Sequence, residues 1–211
     1  MRIPLGHQRS LAVLILAAGG SRRLGRPKQF VQLMGATLLA HSVDLAISTG
    51  APWIGVVTGH QASRATCALR GRPVHCIRCA EWGSGLSASL RAGARRLPRN
   101  ATHVLVLTVD QWRVTPADLQ RLCKAMPQRV PVGTMHGEHL GIPAIFPRRF
   151  WPALLTLTGD RGAQPLLRAT KAQGVYLSRA SQDLDTPLAL RTVHDERYRY
   201  STVHKIVTLR A

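Results

Sequence analysis

The residues with the clearest chemical purpose stand in 16-LAAGGSRRLGRPKQF-30, where Arg22, Arg23, Arg26 and Lys28 follow Gly19 and Gly20 with no acid among them. Glycines let backbone N–H groups come close to a ligand, and guanidinium and ammonium groups offset negative charge, so the loop suits a polyphosphate. Arg23 and Lys28 are the cations placed to neutralise it. The alternative is a solvated basic loop. The spacing is not a dinucleotide fingerprint, because no G-x-G-x-x-G follows. Nor is it a Walker A loop, because Gly25 is followed by Arg-Pro rather than Lys-Ser/Thr. Asp110 follows the apolar run HVLVLT, and a second acidic pair lies in 183-DLDTP-187. Two carboxylates converging from distant segments have the chemistry to hold Mg²⁺ against phosphate oxygens. Capping is the competing role for both Asp110 and Asp185. In 81-EWGSGLSASLRAG-93, Ser84, Gly85 and Ser87 open a helix whose free N–H groups favour an anion, or form an ordinary Gly-Ser turn. Asp160, in 158-TGDRGA-163, reads as an acid near the positive end of an N-capped helix.

Positioning these groups requires strands that end where the loops begin. Residues 11–17 form a continuous apolar run, as expected for a strand covered on both faces. Residues 53–58, 73–77 and 103–108 read as further strands. Helical patterns cover 36–49, 61–70 and 84–96, and Thr115 caps a helix with Pro116 and Asp118 in its first turn. This alternation predicts an α/β fold, a doubly wound, mostly parallel sheet in a single domain. Ligands in such sheets sit beyond the carboxyl ends of the strands, where the glycine loop and Asp110 both fall. The pattern is less regular after Pro131. The domain is expected to span 1–194, with 195–211 a basic C-terminal extension.

The chain has 211 residues, 45% of them apolar, which is ordinary globular composition. Lys plus Arg total 29 against 10 Asp plus Glu, a formal net charge of +19. Such a charge attracts nucleic acid, anionic membranes or phosphorylated small molecules and says little about fold. The cations are spread along the chain, and no nucleic-acid module or stacking platform is evident, so nucleic acid is the less favoured partner. The pair 76-CIRC-79 has metal or redox spacing but lacks the second pair that a structural zinc site wants, and packing is the expected role of these thiols. The run after Arg2 resembles a signal peptide but leads straight into SRRLGRPK; a buried first strand and a cytoplasmic protein are expected. No run has the length of a membrane span.

Taken together, 16-LAAGGSRRLGRPK-28, EWGSGLSASLRAG, the V-D-Q at 109–111, 158-TGDRGAQPLLR-168 and DLDTP resemble, in order, the motifs of the MobA-like nucleotidyltransferases. Within that family the molybdenum cofactor cytidylyltransferase branch is the most similar. The resemblance covers roughly residues 11–192 and implies a Rossmann-like nucleotidyltransferase fold. It implies that Leu16, Ala17, Ala18, Gly19, Gly20 and Ser21 wrap the nucleotide, with Arg23 and Lys28 on its phosphates and Ser84, Gly85 and Ser87 also in the nucleotide site. Arg23, Lys28 and Asp110 are the implied catalytic residues, and Asp110 and Asp185 the implied Mg²⁺ ligands.

The activity so implied is transfer of CMP from CTP to a molybdopterin-type cofactor, with pyrophosphate released. A client molybdoenzyme or its chaperone would receive the product. A-A-G in place of A-G-G favours CTP over GTP. Two departures bear on the acceptor: Trp112 stands where the branch has Pro, and Ile142 in 141-GIPAIF-146 where it has His. Trp112 is expected to present a flat surface at the mouth of the site. Alternatives are another nucleotide such as GTP, another phosphorylated acceptor, a non-catalytic cofactor carrier, or a nucleic-acid-binding protein.

Overall fold

A computed structural model of the chain describes residues 10–33, 35–126, 129–177 and Leu184. Asp183, Asp185 and the 195–211 extension lie outside these residues.

The strands are β1 (Leu11–Ala17), β2 (Gln32–Leu33), β3 (Ala36–Thr37), β4 (Trp53–Thr58), β5 (His75–Arg78), β6 (His103–Thr108), β7 (Val132–His136), β8 (His139–Pro147) and β9 (Gln173–Tyr176). The helices are α1 (Leu38–Ile47), α2 (Ala62–Ala68), α3 (Leu86–Ala94), α4 (Pro116–Lys124), α5 (Trp151–Thr156) and α6 (Gln164–Ala169). Seven strands form one sheet in the order β5-β4-β1-β6-β8-β7-β9, while β2 and β3 pair separately. Strands β5, β4, β1 and β6 run parallel, as expected of a doubly wound sheet, and β7 pairs β9 in parallel. Among the described strands of this sheet, only β8 runs against its neighbours, β6 and β7.

Every residue of β1 is buried, because helices cover both faces of the sheet. Leu11, Val13 and Ile15 pack in one apolar layer with Leu39 and Val43 of α1 and Leu119 and Leu122 of α4. Ala12, Leu14 and Leu16 pack in the other with Leu90 of α3, Leu154 of α5 and Leu167 of α6. The period-two alternation of a strand thus feeds two cores at once.

Helix starts are set by local chemistry, which trims the expected spans. Helix α1 begins at Leu38, two residues later than the apolar pattern suggests, because extended Thr37 caps it by accepting from the Ala40 N–H at 3.1 Å. Helix α4 opens with the expected Thr115 cap, closed into a reciprocal box with Asp118. Among the described residues no helix is long and apolar enough to cross a membrane.

Candidate functional site

Strands β1 and β6 lie side by side, with Leu16 opposite Thr108, so the glycine loop and Asp110 leave the sheet at one edge. Lys28 Nζ donates to Asp110 Oδ2 at 2.5 Å, and both side chains are largely shielded, at 17% and 13% exposure. The other oxygen of the carboxylate, Oδ1, is buried with no hydrogen-bond partner among the described residues. An unpaired buried carboxylate oxygen is costly unless it serves a ligand, and its hard oxygen chemistry fits Mg²⁺. No cluster of three or more metal-type side chains occurs among the described residues.

The loop between them is held from within. The Gln29 amide nitrogen donates to the carbonyls of Ala17 and Gly19, each at 2.9 Å, and Gln29 is 1% exposed. Ser21 Oγ accepts from the Lys28 N–H at 3.0 Å. Two single turns of 3₁₀ helix, Arg22–Leu24 and Lys28–Phe30, complete the wrap. The left-handed turn falls on Ser21 (φ 53°) and Gly25 (φ 71°) rather than on the double glycine. Gly19 has open space where a side chain would stand, and Gly20 lies against Trp82, whose ring would meet a Cβ there at 3.0 Å. The absence of a side chain therefore lets an indole approach closely at Gly20 and leaves the Gly19 backbone open to the cleft.

Facing this loop across a cleft of about 490 Å³ stands the segment before α3. Trp82, Gly83, Gly85, Leu86 and Ser89 line the cleft together with Leu16, Ala18, Gly19, Gly20, Ser21, Arg23, Lys28 and Asp110. Trp82 is seated by packing its Cβ on Gly59 and by an edge-on contact with His60, the ring centroids 5.2 Å apart. Gly85 has φ 99°, and a Cβ on it would fall 2.3 Å from Asp160 Oδ1, so only glycine fits.

Ala17, Ser84 and Ser87 do not line the cleft. Ser87 is fully buried and donates its hydroxyl to the Thr158 carbonyl at 3.0 Å, while its N–H donates to the Gly159 carbonyl. Arg91 reaches the Leu157 carbonyl at 2.5 Å and Glu81 at 3.4 Å. Both side chains thereby clamp the 157–160 loop onto α3 and bring Asp160 into the cleft wall. Asp160 is no helix cap: α6 starts at Gln164 without a side-chain cap.

Trp112 corrects an expectation. Its indole is only 9% exposed, packed in the α1–α4 layer with the Arg113 guanidinium 4.6 Å from the ring centroid, so it presents no surface at the mouth. Burying so large an apolar ring outweighs leaving it in water. Ile142 contributes through its backbone, since its carbonyl accepts from the Gln111 side chain and from His136 Nε2 at 3.1 Å. Gln111 also accepts from the Thr108 N–H at 3.3 Å, which ties the Asp110 turn to β8. Leu184, fully buried in the cleft wall, donates its N–H to the Asp110 carbonyl at 3.2 Å.

Sequence reasoning overlooked Gln29 and Trp82. The one available signal for Gln29 was a polar residue between apolar neighbours in a loop; for Trp82 it was a large ring beside glycines.

The chain is similar to several known proteins. The profile of the MobA-like NTP transferase domain matches residues 13–175. The bifunctional protein GlmU of Halorhodospira halophila is 34% identical over 138 residues, 61% of this chain but 28% of that protein, so the chain spans little more than a quarter of that relative. The purine catabolism protein PucB of Bacillus subtilis is 28% identical over 191 residues, 82% of this chain and 91% of that one. A solved nucleotidyl transferase from Methanothermobacter thermautotroptrophicus superposes with a TM-score of 0.79 at 26% identity, covering 92% of this chain and 100% of that one.

Proposed function

The chain belongs to the MobA-like NTP transferase domain family, and from that premise we propose that it transfers CMP from CTP to a molybdopterin-type cofactor in a Mg²⁺-dependent reaction. The observation that carries the reading is the Lys28–Asp110 pair at the mouth of the glycine loop, with Asp110 Oδ1 buried and without a partner among the described residues. Lysine and aspartate held together there are a phosphate counter-charge and a metal ligand waiting for the triphosphate that will separate them.

In the proposed reaction the backbone of Gly19, Gly20 and Ser21 approaches the triphosphate, and Arg23 and Lys28 offset its charge. A phosphate oxygen of the acceptor attacks the α-phosphorus in line. The new P–O bond forms as the bond to the β-phosphate bridge breaks, and its electron pair leaves with pyrophosphate. The attacking phosphate is already ionised at neutral pH, so no general base is required, and positioning plus charge stabilisation supply the rate. Asp110 would hold Mg²⁺, and Asp185 is the proposed second ligand because it stands in the D-T-P position of the motif. When bound, Mg²⁺ would supply positive charge that offsets the charge of the phosphates. Ser87 acts indirectly in this scheme, by fixing the loop that carries Asp160.

A second reading, another acceptor, is favoured by the match of most of this chain to PucB, a purine catabolism protein. Pyrophosphate release measured with CTP, GTP and ATP, with and without molybdenum cofactor, separates the two. The expected result is release with CTP only when the cofactor is present, and its loss by about a hundredfold or more in Asp110→Ala. Undiminished turnover in Asp110→Ala would remove the metal assignment; no release with any nucleotide would favour a carrier.

A further inference from the structure

A second cavity, of about 560 Å³, runs along the outer strand β5 on its α3 side and shares no lining residue with the cleft. Its platform is aromatic. The Trp53 indole folds across Gly55, where a Cβ would stand 2.4 Å from the ring, so the absence of a side chain there lets the indole lie on the sheet. His75, opposite Gly55 in the β4–β5 register, stacks on that indole with centroids 5.5 Å apart and planes 17° from parallel. His75 is exposed, so the stack ends at the open side of the cavity.

Around the platform stand Arg78 from β5 and Arg95 and Arg96 from the end of α3. No acid lines the cavity, and none of the three arginines makes an ion pair among the described residues. The helix dipole accounts for cations after α3; it does not account for Arg78 across the cavity. Flat π-faces accept a base by stacking, guanidiniums grip phosphate oxygens, and the volume is that of a small-molecule site.

We infer that this cavity binds a nucleoside phosphate, its base stacked on the His75–Trp53 pair and its phosphates held by Arg78, Arg95 and Arg96. The inference does not rest on the transferase reading, because the two sites have no residue in common.

Calorimetric titration of the full chain with ADP, in EDTA, tests it by stoichiometry. The wild-type chain is expected to bind one ADP more than the exposed-residue variant Arg95→Ser/Arg96→Ser, which should keep its thermal midpoint and its pyrophosphate release. Lys28→Met, in the cleft, should leave that additional ADP in place. His75→Ala should weaken the second site about tenfold for ADP while leaving its affinity for inorganic pyrophosphate, which cannot stack, unchanged. An equal ADP stoichiometry in the wild-type chain and the arginine variant would overturn the inference. A single-stranded oligonucleotide bound about a hundredfold tighter than ADP through the same residues would also overturn it, reassigning this face to polynucleotides.

Discussion

Lys28 and Asp110 stand 82 positions apart and meet at 2.5 Å, each the nearest answer to the other's charge. Lys28→Met should therefore act twice. It should raise the Kd for CTP, read by calorimetry, by about tenfold or more, because a charge-assisted phosphate contact is lost. It should also lower stability, because a shielded carboxylate loses its partner, and Asp110→Asn in the same chain should restore part of that loss; a coupling of about 1 kcal/mol in denaturant unfolding is the expected scale. Both residues were legible in the sequence because each follows a continuous apolar run, and the end of such a run marks the edge of a sheet. Gln29 and Trp82 were not legible in the same way. Their contacts, to the Ala17 and Gly19 carbonyls and to Gly20 and Gly59, exist only once the loop has closed.

At the scale of elements, helix α1 carries a pH signature. Burial lowers the pKa of His41 below its ordinary 6.5, against the opposing pull of Asp44 and of the Trp112 backbone. The unfolded chain then takes up a proton more readily than the folded one, so stability present above pH 6.5 is lost as pH falls below it. The urea midpoint should drop between about pH 7.5 and about pH 5.5, and His41→Gln should flatten that drop. Strand β5 and the turn after it explain the CIRC spacing. Cys76 is exposed, whereas Cys79 is buried beyond the strand with its thiol pKa raised by that burial. Cys123, buried in α4, is pushed up to about 11. An alkylating reagent at mildly alkaline pH should modify Cys67 and Cys76 quickly and spare Cys79 and Cys123, a pattern that mass spectrometry reads directly. The apolar runs of β1, β4 and β6 announced themselves at their observed bounds. The 132–147 hairpin did not, since His136, His139 and the half-exposed start of β8 break the alternation that marks a strand.

For the whole molecule, the +19 net charge bears on encounter rather than on fold. Raising salt from about 0.05 M to about 0.3 M should increase the KM for CTP several-fold, with a smaller change in kcat, because screening weakens the long-range attraction and leaves the closed loop's own contacts largely intact. A KM that ignored salt would mean that only the shielded cations of the cleft matter. The sheet order also bears on synthesis. Strand β1 sits between β4, which follows it by some forty residues, and β6, which follows much later. At typical elongation rates, roughly four to sixteen seconds separate the emergence of Lys28 from that of Asp110. During that interval the growing chain shows the ribosome an arginine-rich loop whose carboxylate has not yet been made, and one edge of β1 stays open until translation passes Thr108.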